Sequence, residues 1–180
     1  MTRLALTSTL LGAVIIAGRL PGVIAPASFR EHARKFPRSV FWGRVLFGIA
    51  AFWAGIVMFR AATDDWAWAR PIVVIGVPVA YWLVIRYADQ FLALRGTAAL
   101  MLLVAKIAVD AADLSDLPSR LVVTVVAYLW VCGAMWMAIA PHQVRDWIGF
   151  VTAKDTRCRA ACSVGVAVGV LLVALGLFVY

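Results

Sequence analysis

The chain has 180 residues, of which 64% are hydrophobic and 14% charged, and its formal net charge is +8 at pH 7. About half of the residues in a soluble domain are apolar, so this composition leaves too little polar surface to coat a water-soluble globule. The basic residues lie in short segments between apolar runs, which argues against nucleic-acid binding and favours anionic lipid headgroups as partners.

Six apolar runs approach the length of about 20 residues that a membrane-spanning helix requires. They cover residues 4–24, 39–58, 71–85, 91–109, 121–140 and 160–180. The third is short and contains Pro78, and the fourth contains Arg95 and Lys106, so these two could instead form a shallower hairpin. The first resembles the apolar part of a signal peptide, but Arg19 and Pro21 replace the small residues of a cleavage site, and we expect it to remain as a helix.

The sequence therefore predicts an all-α integral membrane bundle of about six transmembrane helices. We expect a single membrane domain over residues 1–180, divided into hairpins at 1–60, 66–112 and 119–180. Membrane lipids and other membrane protein subunits are the expected partners, and nucleic acid is not.

Basic residues are distributed unequally between the two ends of these runs. The segments that join runs one to two, three to four and five to six, with adjacent helix ends, hold twelve basic residues: Arg19, Arg30, Arg34, Lys35, Arg38, Arg44, Arg86, Arg95, Arg145, Lys154, Arg157 and Arg159. The same segments hold four acids, Glu31, Asp89, Asp146 and Asp155. The other end has five bases and five acids: Arg3, Arg60, Arg70, Lys106, Arg120, Asp64, Asp65, Asp110, Asp113 and Asp116. Because Lys and Arg accumulate in cytoplasmic loops, we predict a bacterial inner-membrane protein with both termini outside the cytoplasm.

A short motif at the end of the first run returns 115 residues later, as IAPASFRE at 24–31 and IAPHQVRD at 139–146. Each copy ends an apolar run with Ala-Pro and then opens an amphipathic segment with apolar residues at i, i+4 and i+7. Either these hairpins are an internal duplication, or Ala-Pro followed by Arg is simply a common end for a membrane helix. In both cases we expect two interfacial helices side by side on the cytoplasmic surface. Their apolar residues should face the acyl chains: Phe29, Phe36, Trp147, Ile148 and Val151.

Two arginines, Arg19 and Arg44, lie inside spanning runs near the basic end, with no acidic residue in their own run. An ion in hydrocarbon costs at least about 2.5–3.5 kcal/mol, so such side chains reach for lipid phosphates or for carboxylates of a partner. Together with the basic residues of the two amphipathic segments they form the predicted lipid- or partner-binding set: Arg19, Arg30, Arg34, Lys35, Arg38, Arg44, Arg145, Arg157 and Arg159.

Lys106 and Asp110 are four residues apart on one helix face. They could line an ion path, or they could be an ion pair that neutralises itself near a helix end.

Small residues at helical spacing predict close helix packing in two runs. The last run has Ala161, Gly165, Gly169 and Gly176, and the second has Gly48 and Gly55. Missing side chains let another backbone approach closely, although the spacing does not say whether the neighbour belongs to the same chain.

The sequence offers no residue set for catalysis or for a cofactor. His32 and His142 fall outside the spanning runs, where haem ligands would be needed, and Cys132, Cys158 and Cys162 are too few for a metal site. We therefore predict no enzyme activity, no metal and no cofactor, and leave open a pigment bound without side-chain ligands.

The two terminal hairpins resemble very small bacterial inner-membrane proteins of unknown function, the DUF2065 type. The residues that carry the resemblance are Pro26, Phe29, Arg30, Arg44, Gly48 and Gly55, then Pro141, Arg145, Arg159, Gly169 and Gly176, with Val144 in place of an aromatic residue. The resemblance implies no activity.

The leading functional hypothesis is a non-catalytic accessory or structural subunit that packs within a larger membrane complex. The first alternative is a small ion or solute transporter or channel that uses Lys106 and Asp110. The second alternative is a membrane organiser that binds anionic lipid through the basic segments.

Reporter fusions after Lys35, Asp64, Asp89, Asp116 and Lys154 should lie alternately inside and outside the cytoplasm, because each fusion point follows one more predicted membrane crossing than the one before it. We expect cytoplasmic signals at Lys35, Asp89 and Lys154. A cytoplasmic signal at Asp64 or Asp116 would overturn the predicted orientation.

Overall fold

The computed structural model describes residues 2–62, 66–87, 91–114 and 118–180. These residues form eight α-helices, with one turn of 3-10 helix at Phe36–Arg38 and no strand among them. The helices are α1 (Arg3–Ile24), α2 (Pro26–Lys35), α3 (Val40–Ala61), α4 (Ala69–Tyr87), α5 (Leu92–Asp113), α6 (Arg120–Ile139), α7 (Pro141–Val151) and α8 (Asp155–Phe178). Four acids of the predicted charge distribution, three of them also fusion points, lie outside the described residues: Asp64, Asp65, Asp89 and Asp116.

Six of these helices, α1, α3, α4, α5, α6 and α8, are long and apolar enough to cross a membrane. The all-α class and the six apolar helices are thus confirmed, and together they indicate a multi-pass membrane protein. Pro78 does not interrupt α4, which is a continuous helix of 19 residues. At 1.5 Å per residue it measures about 28 Å, close to the thickness of the hydrocarbon core.

The two Ala-Pro corners have the same backbone geometry. Ala25, between α1 and α2, has φ −128° and ψ 70°, and Ala140, between α6 and α7, has φ −129° and ψ 62°. In both corners the alanine N–H donates to the carbonyl four residues earlier, at 2.9 Å. The proline then occupies the first position of the next helix, where its missing N–H costs no hydrogen bond. The repeated motif therefore turns the chain from a spanning helix into a short amphipathic helix in the same way twice.

The most extensive helix contact is an antiparallel pairing of α1 with α8. A Cβ atom on Gly12 would lie 2.5 Å from the carbonyl oxygen of Gly169, and one on Gly169 would lie 2.9 Å from that of Gly12. The buried Ser8 hydroxyl donates to the Leu172 carbonyl at 2.7 Å. Further along, Gly176 contacts Thr9 of α1. Gly169 and Gly176 of the predicted series therefore pack against the first helix of the same chain, and Ala161 is half-buried near the start of α8.

Helix α5 is the centre of the remaining bundle, since it packs against α1, α3 and α6. Its buried face is mostly alanine, which brings neighbouring backbones close. At the contact with α3, a Cβ atom on Gly96 would lie 2.7 Å from the Phe47 nitrogen, and one on Gly43 would lie 2.9 Å from the Ala93 nitrogen. The sequence analysis did not single out these two glycines.

Helix α3 packs on its other side against α4. The predicted packing glycines of this helix face α4, Gly48 against Tyr81 and Gly55 against Val77. Within each predicted hairpin, however, the two long helices share no extensive contact among the described residues: α1 with α3, α4 with α5, and α6 with α8. The chain instead pairs its first spanning helix with its last and its second with its fourth, because those faces carry the matching small residues.

Replacing Gly12 with Leu should destabilise the protein by at least about 1–3 kcal/mol, because a side chain there would overlap the α8 backbone, which cannot move aside. Gly18→Leu in the same helix is the matched control, since a Cβ atom at Gly18 meets nothing within 4 Å. Unfolding in mixed micelles at rising denaturing-detergent fraction measures both. Equal stability of the two variants would contradict the α1–α8 pairing.

Candidate functional site

The two amphipathic helices lie at the same end of the bundle, and they contact each other as the sequence predicts. The antiparallel pairing of α1 with α8 places α2, which follows α1, beside the segment that leads into α8. We call residues 152–154, between α7 and α8, the α7–α8 connection. The candidate site consists of α2, α7, this connection and the adjacent ends of α1 and α8.

Thr152 is the point at which α2 is held to the α7–α8 connection, and only 3% of it is exposed. Arg30 donates from Nε to the Thr152 carbonyl at 2.6 Å and from Nη2 to the Ala153 carbonyl at 2.9 Å. Arg34 donates from Nη2 to the same Thr152 carbonyl at 2.8 Å and from Nε to Thr152 Oγ1 at 3.0 Å. Arg30 also forms an ion pair with Asp155.

These bonds have a clear electrostatic cause. The last carbonyl groups of a helix lack partners within the helix and carry the negative end of its dipole, so a guanidinium group there satisfies both needs. The Thr152 hydroxyl uses its own proton on the Ile148 carbonyl at 2.7 Å, which leaves its lone pairs for Arg34. The sequence analysis expected Arg30 and Arg34 to need lipid phosphates or a partner's carboxylates. In the structure the chain itself supplies acceptors for both, which no sequence spacing could indicate.

Other basic residues of the predicted set have simpler surroundings. The exposed Lys35 ammonium donates to Glu31 at 2.6 Å and holds the pKa of that carboxyl below its usual value. Arg145 pairs with Asp146 at 2.7 Å, and Arg157 lies 4.5 Å from the centre of the Phe150 ring. Five side chains of the set make no hydrogen bond or ion pair with any described residue: Arg19, Arg38, Arg44, Arg157 and Arg159.

The side chain of Arg19 explains why position 165 of α8 is a glycine. A Cβ atom on Gly165 would lie 2.9 Å from Cγ of Arg19 and 3.3 Å from its Cδ. Gly165 therefore accommodates the aliphatic stem of an arginine, whereas Gly169 admits a neighbouring backbone. The stem can cross α8 at this glycine while the guanidinium extends towards the basic end, as expected of an arginine near a membrane surface.

The apolar faces of α2 and α7 turn towards each other. One cavity of about 360 Å³ is lined by Phe29 of α2, by Phe36 of the 3-10 turn that follows it, and by Trp147, Ile148 and Val151 of α7. The ends of α1, α6 and α8 complete its wall, and we call it the α2–α7 cavity. The residues predicted to face acyl chains thus converge on a common apolar space next to the spanning helices.

The remaining candidate residues lie elsewhere. Lys106 and Asp110 form an ion pair on α5 with side chains that are 55% and 59% exposed. Cys132 is exposed, Cys158 and Cys162 are buried, and all three are free thiols. Within the described ranges, no cluster of three or more His, Cys, Asp or Glu side chains could hold a metal ion.

No protein-family model, curated protein or solved structure matches this chain. The resemblance of the terminal hairpins to the small inner-membrane proteins therefore stays a prediction.

A double-mutant cycle of Arg34→Gln and Thr152→Val should give a coupling energy of about 1 kcal/mol. Arg34→Gln removes the donor of the hydrogen bond from Arg34 Nε to Thr152 Oγ1, and Thr152→Val removes its acceptor. Unfolding in mixed micelles measures the four proteins of the cycle. The control cycle pairs Lys35→Gln with Thr152→Val and should be additive, since Lys35 bonds to Glu31 instead. Additivity in both cycles would show that the Arg34 Nε–Thr152 Oγ1 hydrogen bond does not help to hold α2.

Proposed function

We propose that this protein is a non-catalytic subunit that packs within a larger assembly in the bacterial inner membrane, with its basic end in the cytoplasm. Two features support the orientation: the excess of basic residues at the α2–α7 end and the attraction of such residues to the anionic cytoplasmic leaflet. A duplication of the terminal hairpins is part of the proposal, and the matching Ala25 and Ala140 corners support it.

The observation that carries the proposal is the open surface of α4. None of its residues is buried, and among the described helices it packs extensively only on α3. Every other spanning helix has buried residues. A membrane helix gains no hydrophobic free energy by leaving lipid for a protein neighbour, so its association depends on close packing. On the exposed side of α4, Gly76 and Ala80 are one turn apart, and a Cβ atom on Gly76 meets nothing within 4 Å.

This side of α4 suits a helix of a partner subunit. Gly76 and Ala80 would let the partner's backbone approach, and the exposed Ile72 and Ile75, at 58% and 66%, would pack beside it. Outside α4, no atom of the described chain lies within 4 Å of a Cβ atom built on Gly76, so packing inside the protein does not require a glycine there.

Replacing Gly76 with Leu should release the protein from its assembly while leaving the chain folded, because the new side chain projects into space that only a partner would fill. Native mass measurement after extraction in mild detergent reports the assembly. We expect the unchanged protein to be detected in a complex with other subunits. We expect the Gly76→Leu variant to be detected alone, with a mass of 19.5 kDa plus bound lipid.

Gly18→Leu is the matched control, since Gly18 is also in a spanning helix with nothing within 4 Å of a Cβ atom. It should remain in the assembly. A mass of 19.5 kDa for the unchanged protein, or only multiples of that mass, would contradict a complex with other subunits.

The second candidate function is the binding of anionic lipid at the basic end. Its specific support is the pair Arg19 and Arg44, which lie in spanning helices without a hydrogen-bonding or ionic partner in the described chain. Lipid phosphates at the membrane surface are suitable partners for such guanidinium groups. The transport alternative has weaker support, because Lys106 and Asp110 neutralise each other on an exposed face.

A further inference from the structure

We propose that the α2–α7 cavity binds one acyl chain of an anionic phospholipid, whose phosphate group is bound by Arg19. The inference deepens the second candidate function, since it assigns anionic lipid to a particular site in place of the basic end as a whole. It does not depend on whether the protein belongs to a larger assembly.

The cavity wall selects for hydrocarbon. Its volume of about 360 Å³ lies within the range of about 300–1,000 Å³ that is usual for ligand pockets. Aromatic and aliphatic side chains make up most of the wall, including Phe29, Phe36, Trp147 and Ile148. No acidic side chain is among the described residues that line it. Such a wall disfavours sugars, nucleotides and cations, because their polar groups would lose hydration without finding partners.

The position of the cavity favours an acyl chain as its occupant. An acyl chain is narrow and flexible, and the ends of α1, α6 and α8 bring the cavity beside the spanning helices, where such chains are available.

Arg19 supplies the charge complementarity that makes the occupant anionic. It lines the cavity and is also exposed, so it lies where the cavity opens. Its stem is fixed against Gly165, and its guanidinium makes no hydrogen bond or ion pair with any described residue. An arginine binds a phosphate with two parallel, charge-assisted hydrogen bonds. His32 is a second polar group of the wall, with Nδ1 donating to the Ser28 carbonyl at 2.9 Å, which leaves Nε2 available.

The walls are held in place without the lipid. Arg30 and Arg34 fix α2 to the α7–α8 connection through Thr152, so the two apolar faces stay opposite each other when the cavity is empty. A preformed site loses less entropy on binding than one that the ligand must assemble. This separates the arginines by role: Arg30 and Arg34 build the cavity, and Arg19 binds the headgroup.

The test measures binding of phosphatidylglycerol to the purified full chain in detergent by native mass spectrometry, with phosphatidylcholine as the zwitterionic comparison. Ala33 lines the cavity and is half-buried, so Ala33→Phe should fill the cavity and displace the chain. Arg19→Gln keeps the stem over Gly165 but removes the guanidinium, and should weaken phosphatidylglycerol binding about tenfold. Phosphatidylcholine carries the same phosphate group, but its choline ammonium competes with Arg19 for it, so we expect it to bind the unchanged protein less tightly than phosphatidylglycerol does.

Two controls match these variants. Ala27→Phe makes the same substitution on the exposed side of α2, and Arg95→Gln removes an exposed arginine that does not line the cavity. Both should bind phosphatidylglycerol like the unchanged protein. Thermal unfolding of each variant shows that it is folded, and Arg19→Gln preserves the test if Ala33→Phe does not fold.

The outcomes separate the inference from the function on which it rests. If the unchanged protein retains no phosphatidylglycerol, both the cavity site and the lipid-binding candidate are wrong. If it retains the lipid and Ala33→Phe binds as well as Ala27→Phe, the basic end binds lipid and the cavity does not. If phosphatidylcholine binds as tightly as phosphatidylglycerol and Arg19→Gln has no effect, the assignment of the phosphate to Arg19 is overturned.

Discussion

The close contact between α1 and α8 is the constraint on which the rest of the structure depends. Gly12 and Gly169 bring the two backbones together, and the Ser8 hydroxyl satisfies the Leu172 carbonyl between them. Since lipid offers no hydrophobic drive for helices to associate, such close packing and hydrogen bonding must hold the pair. The contact joins the two ends of the sequence: Thr2 donates to the Tyr180 carbonyl at 3.1 Å at one end of the pair. At the other end it sets α2 beside the α7–α8 connection, and so brings Arg30 and Arg34 to Thr152 and forms the α2–α7 cavity.

The repeated Ala-Pro motif shows how one local sequence acquires two tertiary roles. Ala25 and Ala140 turn the chain with nearly equal backbone angles, and each is followed by a helix that starts with proline. The arginine at the shared offset then behaves differently in the two copies. Arg30 reaches across to Thr152 and Asp155, whereas Arg145 pairs with its own neighbour Asp146. The difference arises because Arg30 meets the C-terminal end of a helix, where carbonyl groups attract a guanidinium, whereas Arg145 lies over the ring of Phe91 at the N-terminal end of α5.

Glycine serves three separate purposes in this bundle. At Gly12 and Gly169 it allows two backbones to touch, and at Gly165 it makes room for the stem of Arg19. At Gly76 it leaves the surface of α4 open. The first purpose stabilises the chain, the second places a charge near the basic end, and the third leaves a surface that only lipid or another subunit can cover. A small-residue pattern in a membrane helix therefore indicates close approach without saying what approaches.

The sequence by itself determined the class of the protein, because six long apolar runs with most of the charges between them leave too little polar surface for a fold that is soluble in water. It also placed the helices within a few residues, although it left open whether the run with Pro78 forms a full spanning helix, and it located the two amphipathic helices from their periodicity. The partners of those helices were decided only by the tertiary structure. Gly12, Gly43 and Gly96 were not among the small residues singled out from the sequence, yet they set which backbones meet. The acceptors of Arg30 and Arg34 lie more than a hundred residues away along the chain and are mostly backbone carbonyls, which every residue has. A local pattern can identify a face that must be buried or a charge that needs a partner, but which partner it meets depends on how distant segments pack.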